Sequence, residues 1–360
     1  LLCYSFRLCL LLSDSLRPYL TRSGLLSLTP GFSYNLALIS LISPLSRRRF
    51  CVTILYMTTD RSKQNSIFLA LPLISGCLWG CAGFFVRNLG ELGYGNLTII
   101  SSRTFLAVAV LFVVLLFYDK KLLVINPKDA VVFLAAGAVG IVFLNYGYND
   151  SINELSLSFS AVLLCIFPTI VLVLARIIFK ERISKTKAVC SVMAIIGCAM
   201  VSGAFTTGGF SVETLSARGI LMGLLAALSY AVYSIVTRLA FEKGYSALTM
   251  TFYSQLAAAI VLIPFTDWHV IGSSIATVPT VSLPLLIGNS ILIAVMPYLL
   301  YNIGIGRTDT GKASILAAGS EPSAAMVLGA LVYLEIPGVI AIAGLVITII
   351  ALSVVCKSDS

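Results

Sequence analysis

Gly93-Tyr94-Gly95-Asn96-Leu97-Thr98 returns, 151 residues further on, as Gly244-Tyr245-Ser246-Ala247-Leu248-Thr249. Ser160, Pro168 and Glu181 return in the same way as Ser314, Pro322 and Glu335, now 154 residues apart. The change of spacing needs only a small insertion between the two blocks. The chain therefore reads as one unit written twice. Each copy holds five apolar segments, and an odd number of membrane crossings makes the second copy face the opposite way.

The composition supports crossings rather than a soluble core. The 360 residues are 59% hydrophobic and 11% charged, with a mean hydropathy of +1.01. A soluble chain of this length carries far more charge, so the expected class is an all-α polytopic membrane protein. The longest connection between apolar segments, Thr266 to Ser282, has 17 residues and cannot hold a soluble domain. Any chemistry then belongs within the helix bundle or at its mouths. The net charge of +9 raises the question of nucleic acid. The basic residues, however, sit in the connections, where they report topology, and no nucleic-acid partner is expected. Nine scattered cysteines without a CxxC pair and a single histidine, His269, supply no zinc or iron–sulfur ligand set. Neither a metal nor a cofactor is expected. Cys77 and Cys81 read as small packing residues, the alternative being a redox pair.

Residues 1–56 contain six arginines, many serines and one acidic residue, Asp14. They read as a non-native leader upstream of a start at Met57, the alternative being a cleaved organellar transit segment. Residues 57–66 read as a short cytoplasmic leader.

A bilayer core of about 30 Å takes roughly 20 apolar residues in a helix. Ten segments qualify, near 67–86, 97–117, 130–147, 159–179, 188–205, 217–237, 247–265, 283–304, 312–334 and 337–356. They form a first five-helix repeat over 67–205 and a second, inverted one over 217–356. Lys and Arg then set the orientation. Lys120, Lys121 and Lys128 lie between spans 2 and 3, and Lys180, Arg182, Lys185 and Lys187 between 4 and 5. Arg238 and Lys243 follow span 6, and Arg307 and Lys312 follow span 8. The other side carries only Arg87 and Arg218, so both termini are expected in the cytoplasm. Corresponding connections of the two copies carry opposite bias. Charge and repeat are independent signals, and both predict inversion. Inverted repeats of this kind are the architecture of alternating-access carriers.

Several stretches resemble the ten-span EamA-like family of the drug/metabolite transporter superfamily. They are Leu78-Trp79-Gly80 with its counterpart Leu228-Ser229-Tyr230-Ala231, Ser102-Arg103-Thr104-Phe105-Leu106-Ala107, Tyr298-Leu299-Leu300-Tyr301-Asn302 leading into Ala313-Ser314, and Glu321-Pro322 followed by Glu335. The resemblance covers residues 67–356. It implies a carrier of small metabolites, often directed outward, and leaves the solute open among amino acids, nucleotide precursors, sugars and drugs. Related four-span multidrug exporters carry a glutamate in the first span; Ile67 to Val86 has none.

Within the spans, Arg103 stands about six residues, or roughly 9 Å, inside span 2. A charge there faces a partner or an aqueous cavity. It either binds a solute carboxylate or phosphate as a bidentate fork, or snorkels and ties neighbouring helices. Glu321 lies near the middle of span 9 and is the candidate proton-coupling group; a neutral structural acid is the alternative. Pro168 and Pro322 each free a carbonyl one turn back and are candidate hinges, with paired helix breaks expected at both. Tyr298, Tyr301 and Asn302 are expected to face the cavity and bind solute. Tyr148 and Asn149 are expected in the interfacial belt, and Trp79 in packing between helices. Glu181 reads as a local ion pair among bases. The glycines at 76, 80, 83, 219 and 223 read as sites of close helix approach.

These residues predict a secondary active transporter that exports a small polar metabolite, an amino acid or related solute, across the cell (inner) membrane, with protons as the candidate coupling ion. The alternative is a multidrug exporter of the same fold. The bilayer and the solute are the expected partners, with monomer and homodimer both open. No catalytic set is present: no HExxH, no nucleotide-binding GxxxxGK[ST] loop and no paired acids within the spans. The chain is not expected to be an enzyme.

Overall fold

The computed structural model describes residues 61–155, 157–202, 216–332 and 337–357. The segment before residue 61, residues 203–215 and Glu335 lie outside them. Every regular element among the described residues is helical. In chain order these are α1 (Arg61–Gly80, resuming as Ala82–Glu91), α2 (Asn96–Tyr118), α3 (Pro127–Glu154), α4 (Leu157–Leu164 and Phe167–Ile178), α5 (Lys185–Val201), α6 (Ala217–Glu242), α7 (Ala247–Phe265), α8 (Pro279–Arg307), α9 (Thr310–Val332) and α10 (Val339–Lys357). Among the described residues, nine helices are long and apolar enough to cross a membrane. The expected fifth span is α5, which is 17 residues long.

Several helices run past the sequence expectation, whereas α10 starts at Val339 and α4 ends at Ile178, just inside it. α3 reaches Glu154, α6 reaches Glu242 and α8 starts at Pro279. Hydropathy marks only the part of a helix inside hydrocarbon, whereas hydrogen bonding carries the helix on into the headgroup zone. α1 likewise starts at Arg61, inside the segment expected to be a leader. The long connection before α8 contains a further helix, Trp268–Thr277, whose first turn is capped by Asp267 Oδ1 accepting the Val270 N–H at 3.1 Å.

The duplicated motif folds as the same helix stop twice. Gly93 and Gly244 have φ of 86° and 87°, a left-handed conformation that glycine adopts without Cβ strain. The Tyr94 and Tyr245 N–H groups bond the carbonyls of Leu89 and Ala240 at 3.1 Å, and the glycine N–H groups bond Gly90 and Phe241 at 2.9 Å. This is the Schellman pattern. Each turn meets the other repeat. The Tyr94 hydroxyl bonds Ser274 in the connection between α7 and α8, and the Tyr245 hydroxyl donates to Asp129 at 2.8 Å, at the start of α3. That exchange of partners is what a two-fold relation between inverted copies requires. α2 packs on its counterpart α7, α4 on α9 and α5 on α10.

The spans are apolar outside and polar within. Val113, Ile177, Val192 and Val346 are exposed, while Ser101, Ser160, Ser234, Thr251 and Ser314 are fully buried. In hydrocarbon, small residues and hydroxyls make the helix–helix contacts. The counterparts α3 and α8 both widen into π-helical stretches, Ala135–Phe143 and Ser290–Val295. In α3 the widening coincides with close approach: a Cβ on Gly137 would lie 2.4 Å from the Ser254 carbonyl oxygen of α7.

Candidate functional site

α1 lies directly on α9. A Cβ on Gly76 would stand 2.3 Å from the Ala317 carbonyl oxygen, and one on Gly80 would stand 2.3 Å from that of Glu321. The glycines let the two backbones touch, which places Trp79 of α1 and Glu321 of α9 on one cavity wall. Gly219 and Gly223 are similarly tight against Leu155 and Leu163, whereas Gly83 faces open space.

The cavity holds about 160 Å³. Arg103, Tyr298 and Glu321 all line it, so three of the expected site residues meet. Arg103 is 8% exposed and donates from Nη2 to Asn145 Oδ1 at 2.8 Å. The Asn145 amide nitrogen in turn donates to the Ile141 carbonyl at 2.7 Å, which fixes the amide's orientation. Glu321 has no hydrogen bond or ion pair among the described residues, and the buried Tyr230 hydroxyl has no partner either. Buried polar groups are ordinarily satisfied, so the unpaired Tyr230 hydroxyl, beside the half-buried Glu321, marks where a solute or water is accommodated. Val86, Asn96 and Asn149, at the ends of α1, α2 and α3 away from the basic connections, form its mouth. Asn96 and Asn149 also belong to a surface depression with Asp150 and Asn153.

Toward the basic connections the path is closed. Phe167 stacks on Tyr230 with centroids 3.8 Å apart, and Trp79 meets Tyr298 and Tyr301 edge-on at 5.1 and 5.5 Å. Beyond this layer, the Tyr301 and Ser234 hydroxyls bond at 2.8 Å. Asn302 Oδ1 accepts from the Tyr233 hydroxyl at 3.1 Å, and Asn302 Nδ2 donates to Thr251 at 2.9 Å. Tyr301 and Asn302 are fully buried and do not line the cavity. The expectation that they face it is corrected: their polar groups are taken up by α6 and α7. At the basic surface, Lys187 Nζ, 3% exposed, bonds Asp309 at 2.8 Å, and Glu181 accepts from the Thr310 hydroxyl at 3.1 Å. Asp309 lies within hydrogen-bonding reach of the Glu181 carboxyl, which burial, and then this neighbouring acid, hold above the ordinary glutamate range. Glu181 therefore faces an acid and a hydroxyl, with the Arg238 charge acting on it more weakly, rather than pairing with its basic neighbours in sequence.

Three further expectations change. Tyr148 and Asn149 line the cavity rather than serving only the belt, because α3 continues past its apolar run. Trp79 both packs on the aromatic layer and lines the cavity. Paired helix breaks at the prolines do not occur. α4 is interrupted just before Pro168, but α9 runs unbroken through Pro322. The carbonyl that Pro322 cannot engage is that of Ala318, which accepts from Cys198 Sγ of α5 at 3.7 Å.

Asn145 belongs to the polar aromatic run Asn145-Tyr146-Gly147-Tyr148-Asn149 at the end of span 3, part of which the sequence lets face the cavity, whereas Tyr230 is a site residue that the sequence reading does not pick out. Tyr230 was within reach, since it is the repeat equivalent of Trp79 and the two rings meet 5.7 Å apart. Among the described residues no group of three His, Cys, Asp or Glu is placed to hold a metal ion.

The model of the EamA-like transporter family matches the chain twice, over residues 65–203 and 217–356. The transporter YyaM of Bacillus subtilis strain 168, described as uncharacterized, is 26% identical over 233 residues, 63% of this chain and 75% of its own. YdfC of the same organism, described likewise, is 26% identical over 225 residues, 62% of this chain and 70% of its own. A solved crystal structure at 15% identity superposes with a TM-score of 0.65, covering 80% of this chain and 95% of its own, which is a likeness of fold.

Proposed function

Because the chain belongs to the EamA-like transporter family, we propose that it is a secondary carrier exporting a small polar solute, an amino acid or related molecule, by alternating access. The observation that carries this reading is a cavity open toward one face and sealed toward the other, with a cation and an unpaired carboxyl on its walls. Arg103, oriented by Asn145, takes the anionic end of the solute. Tyr298 and the Tyr230 hydroxyl contact its body, and Glu321 exchanges a proton. The repeats rock so that the sealed face opens as the mouth closes, with the break before Pro168 as the flexible joint. By the distribution of basic residues, the sealed face and both termini are cytoplasmic.

A multidrug exporter is the second reading, favoured by the aromatic walls and Glu321. Against it stand the size of the cavity, below the roughly 300–1,000 Å³ of drug-sized sites, and the guanidinium, which repels cationic drugs.

Counterflow in proteoliposomes separates the two, using labelled amino acids, nucleosides, sugars and cationic dyes. Saturable exchange of one polar class is expected, and Glu321→Gln should flatten its pH dependence. Exchange of dyes alone would move the assignment to drug export. An unaltered pH profile in Glu321→Gln would remove the proton role.

A further inference from the structure

Tyr148-Asn149 of α3 and Tyr301-Asn302 of α8 are the same dipeptide, 153 residues apart. The contacts agree with that register. Ser151 of α3 faces Gly223 of α6, and their equivalents, Gly304 of α8 and Pro72 of α1, face each other as well. On the sealed side the Asn302 amide is bonded at both its oxygen and its nitrogen, by Tyr233 and Thr251, with Thr237 at 3.5 Å. Stepping back 151 residues, Tyr233, Thr237 and Thr251 become Ala82, Val86 and Ile100. These three line the cavity together with Asn149, and none carries a hydroxyl. The Asn149 side chain makes no hydrogen bond among the described residues. Asn96 stands exposed at the rim, a turn outside Ile100, and its equivalent Ala247 brings no polar side chain to the sealed side. Closing the mouth as the other side is closed would press a carboxamide against methyl groups and leave its donor and acceptor unpaired.

We propose that Asn149 is the specificity-determining residue of the mouth, and that the solute itself supplies the hydrogen-bond partner which Tyr233 and Thr251 supply to Asn302. The mouth then closes more readily over a cavity holding a solute with a donor and an acceptor, such as an amino or hydroxy acid, than over an empty one, so exchange of solute for solute outruns the empty return of net export. A purely apolar cation does not satisfy the amide and is not carried across. This rests on the carrier reading above.

The test uses the full chain in proteoliposomes. Trp79 lines the cavity, and the only other tryptophan is Trp268 on the surface. Trp268→Phe therefore leaves one reporter. External iodide should quench Trp79 in this parent protein when no solute is present. Asn149→Ala and Asn149→Leu remove the amide that an empty mouth must bury. Each should shift the closed-to-open ratio about tenfold and lower the quenching constant about threefold. Counterflow of the labelled amino-acid and sugar panel is run on the parent alongside. Unchanged quenching in both variants overturns the inference even where the parent exchanges solute. A parent that exchanges no panel member overturns the carrier reading and, with it, this inference.

Discussion

Replacing Gly80 by alanine tests the geometry that sets Glu321 in the cavity wall. The new Cβ would lie 2.3 Å from the Glu321 carbonyl oxygen and 2.9 Å from both the Ala324 Cβ and the Ala325 nitrogen. Ordinary contact begins near 3.4 Å, so α1 and α9 must separate by about 1 Å, since two of the three atoms in the way are backbone and the third is a Cβ fixed to it. Overpacking of this kind costs ~1–3 kcal/mol. Alanine recovers at most ~1 kcal/mol of helix propensity. The net effect is destabilising by up to ~2 kcal/mol, a fall in melting temperature of up to roughly 8 °C at about 2–4 °C per kcal/mol. Counterflow should slow as well, because Glu321 moves with the α9 backbone. Gly83→Ala is the matched control, since its Cβ meets nothing within 4 Å. Thermal unfolding followed by size exclusion in detergent reads the first effect, and proteoliposome counterflow the second. If Gly80→Ala were as stable and as active as Gly83→Ala, the argument that helix contact positions Glu321 would be wrong.

The remaining predictions concern the two ends of the path. Glu181 is held above the ordinary glutamate range by burial and by Asp309, with Lys187, Thr310 and Arg238 also facing the pair. A raised acid stabilises the sealed state at low pH, and that effect is lost as pH rises from the ordinary value of 4.5 through the raised one. Glu181→Gln should make opening of the basic side independent of pH across that window; an unshifted pH profile of counterflow would refute it. If Arg103 takes the anionic end, Arg103→Lys keeps the charge but loses the planar fork. The half-saturation concentration for an anionic solute should then rise about tenfold, and an unchanged value would argue for a tie between helices instead. Pro168→Ala allows α4 to become continuous and should slow exchange more than Pro322→Ala, since α9 is already unbroken. Equal rates in the two variants would remove the joint from α4.

Residues 93–98 and 244–249 show which features are legible in the linear chain. A left-handed glycine followed by a tyrosine forms its helix stop from neighbours in sequence, so the turn could be read before any packing was known. The same holds for the apolar runs and the basic connections, because transfer from water to lipid acts on each segment separately. The chemistry does not follow the repeat. The equivalent of Arg103 is Ser254, and that of Glu321 is Phe167, so duplication located the scaffold but not the site.

The sequence by itself determined the helical class, the repeat and its inversion, since hydropathy, charge bias and turn chemistry are local. Only the tertiary structure decided which polar groups meet. Arg103, Tyr230, Tyr298 and Glu321 come from four helices, and the glycines of α1 let it press directly on α9 where Glu321 stands. It also decided that Tyr301-Asn302 is sealed while Tyr148-Asn149 is open. Identical dipeptides differ because one meets hydroxyls on α6 and α7, whereas Asn149 lines the cavity with Ala82, Val86 and Ile100, which carry none.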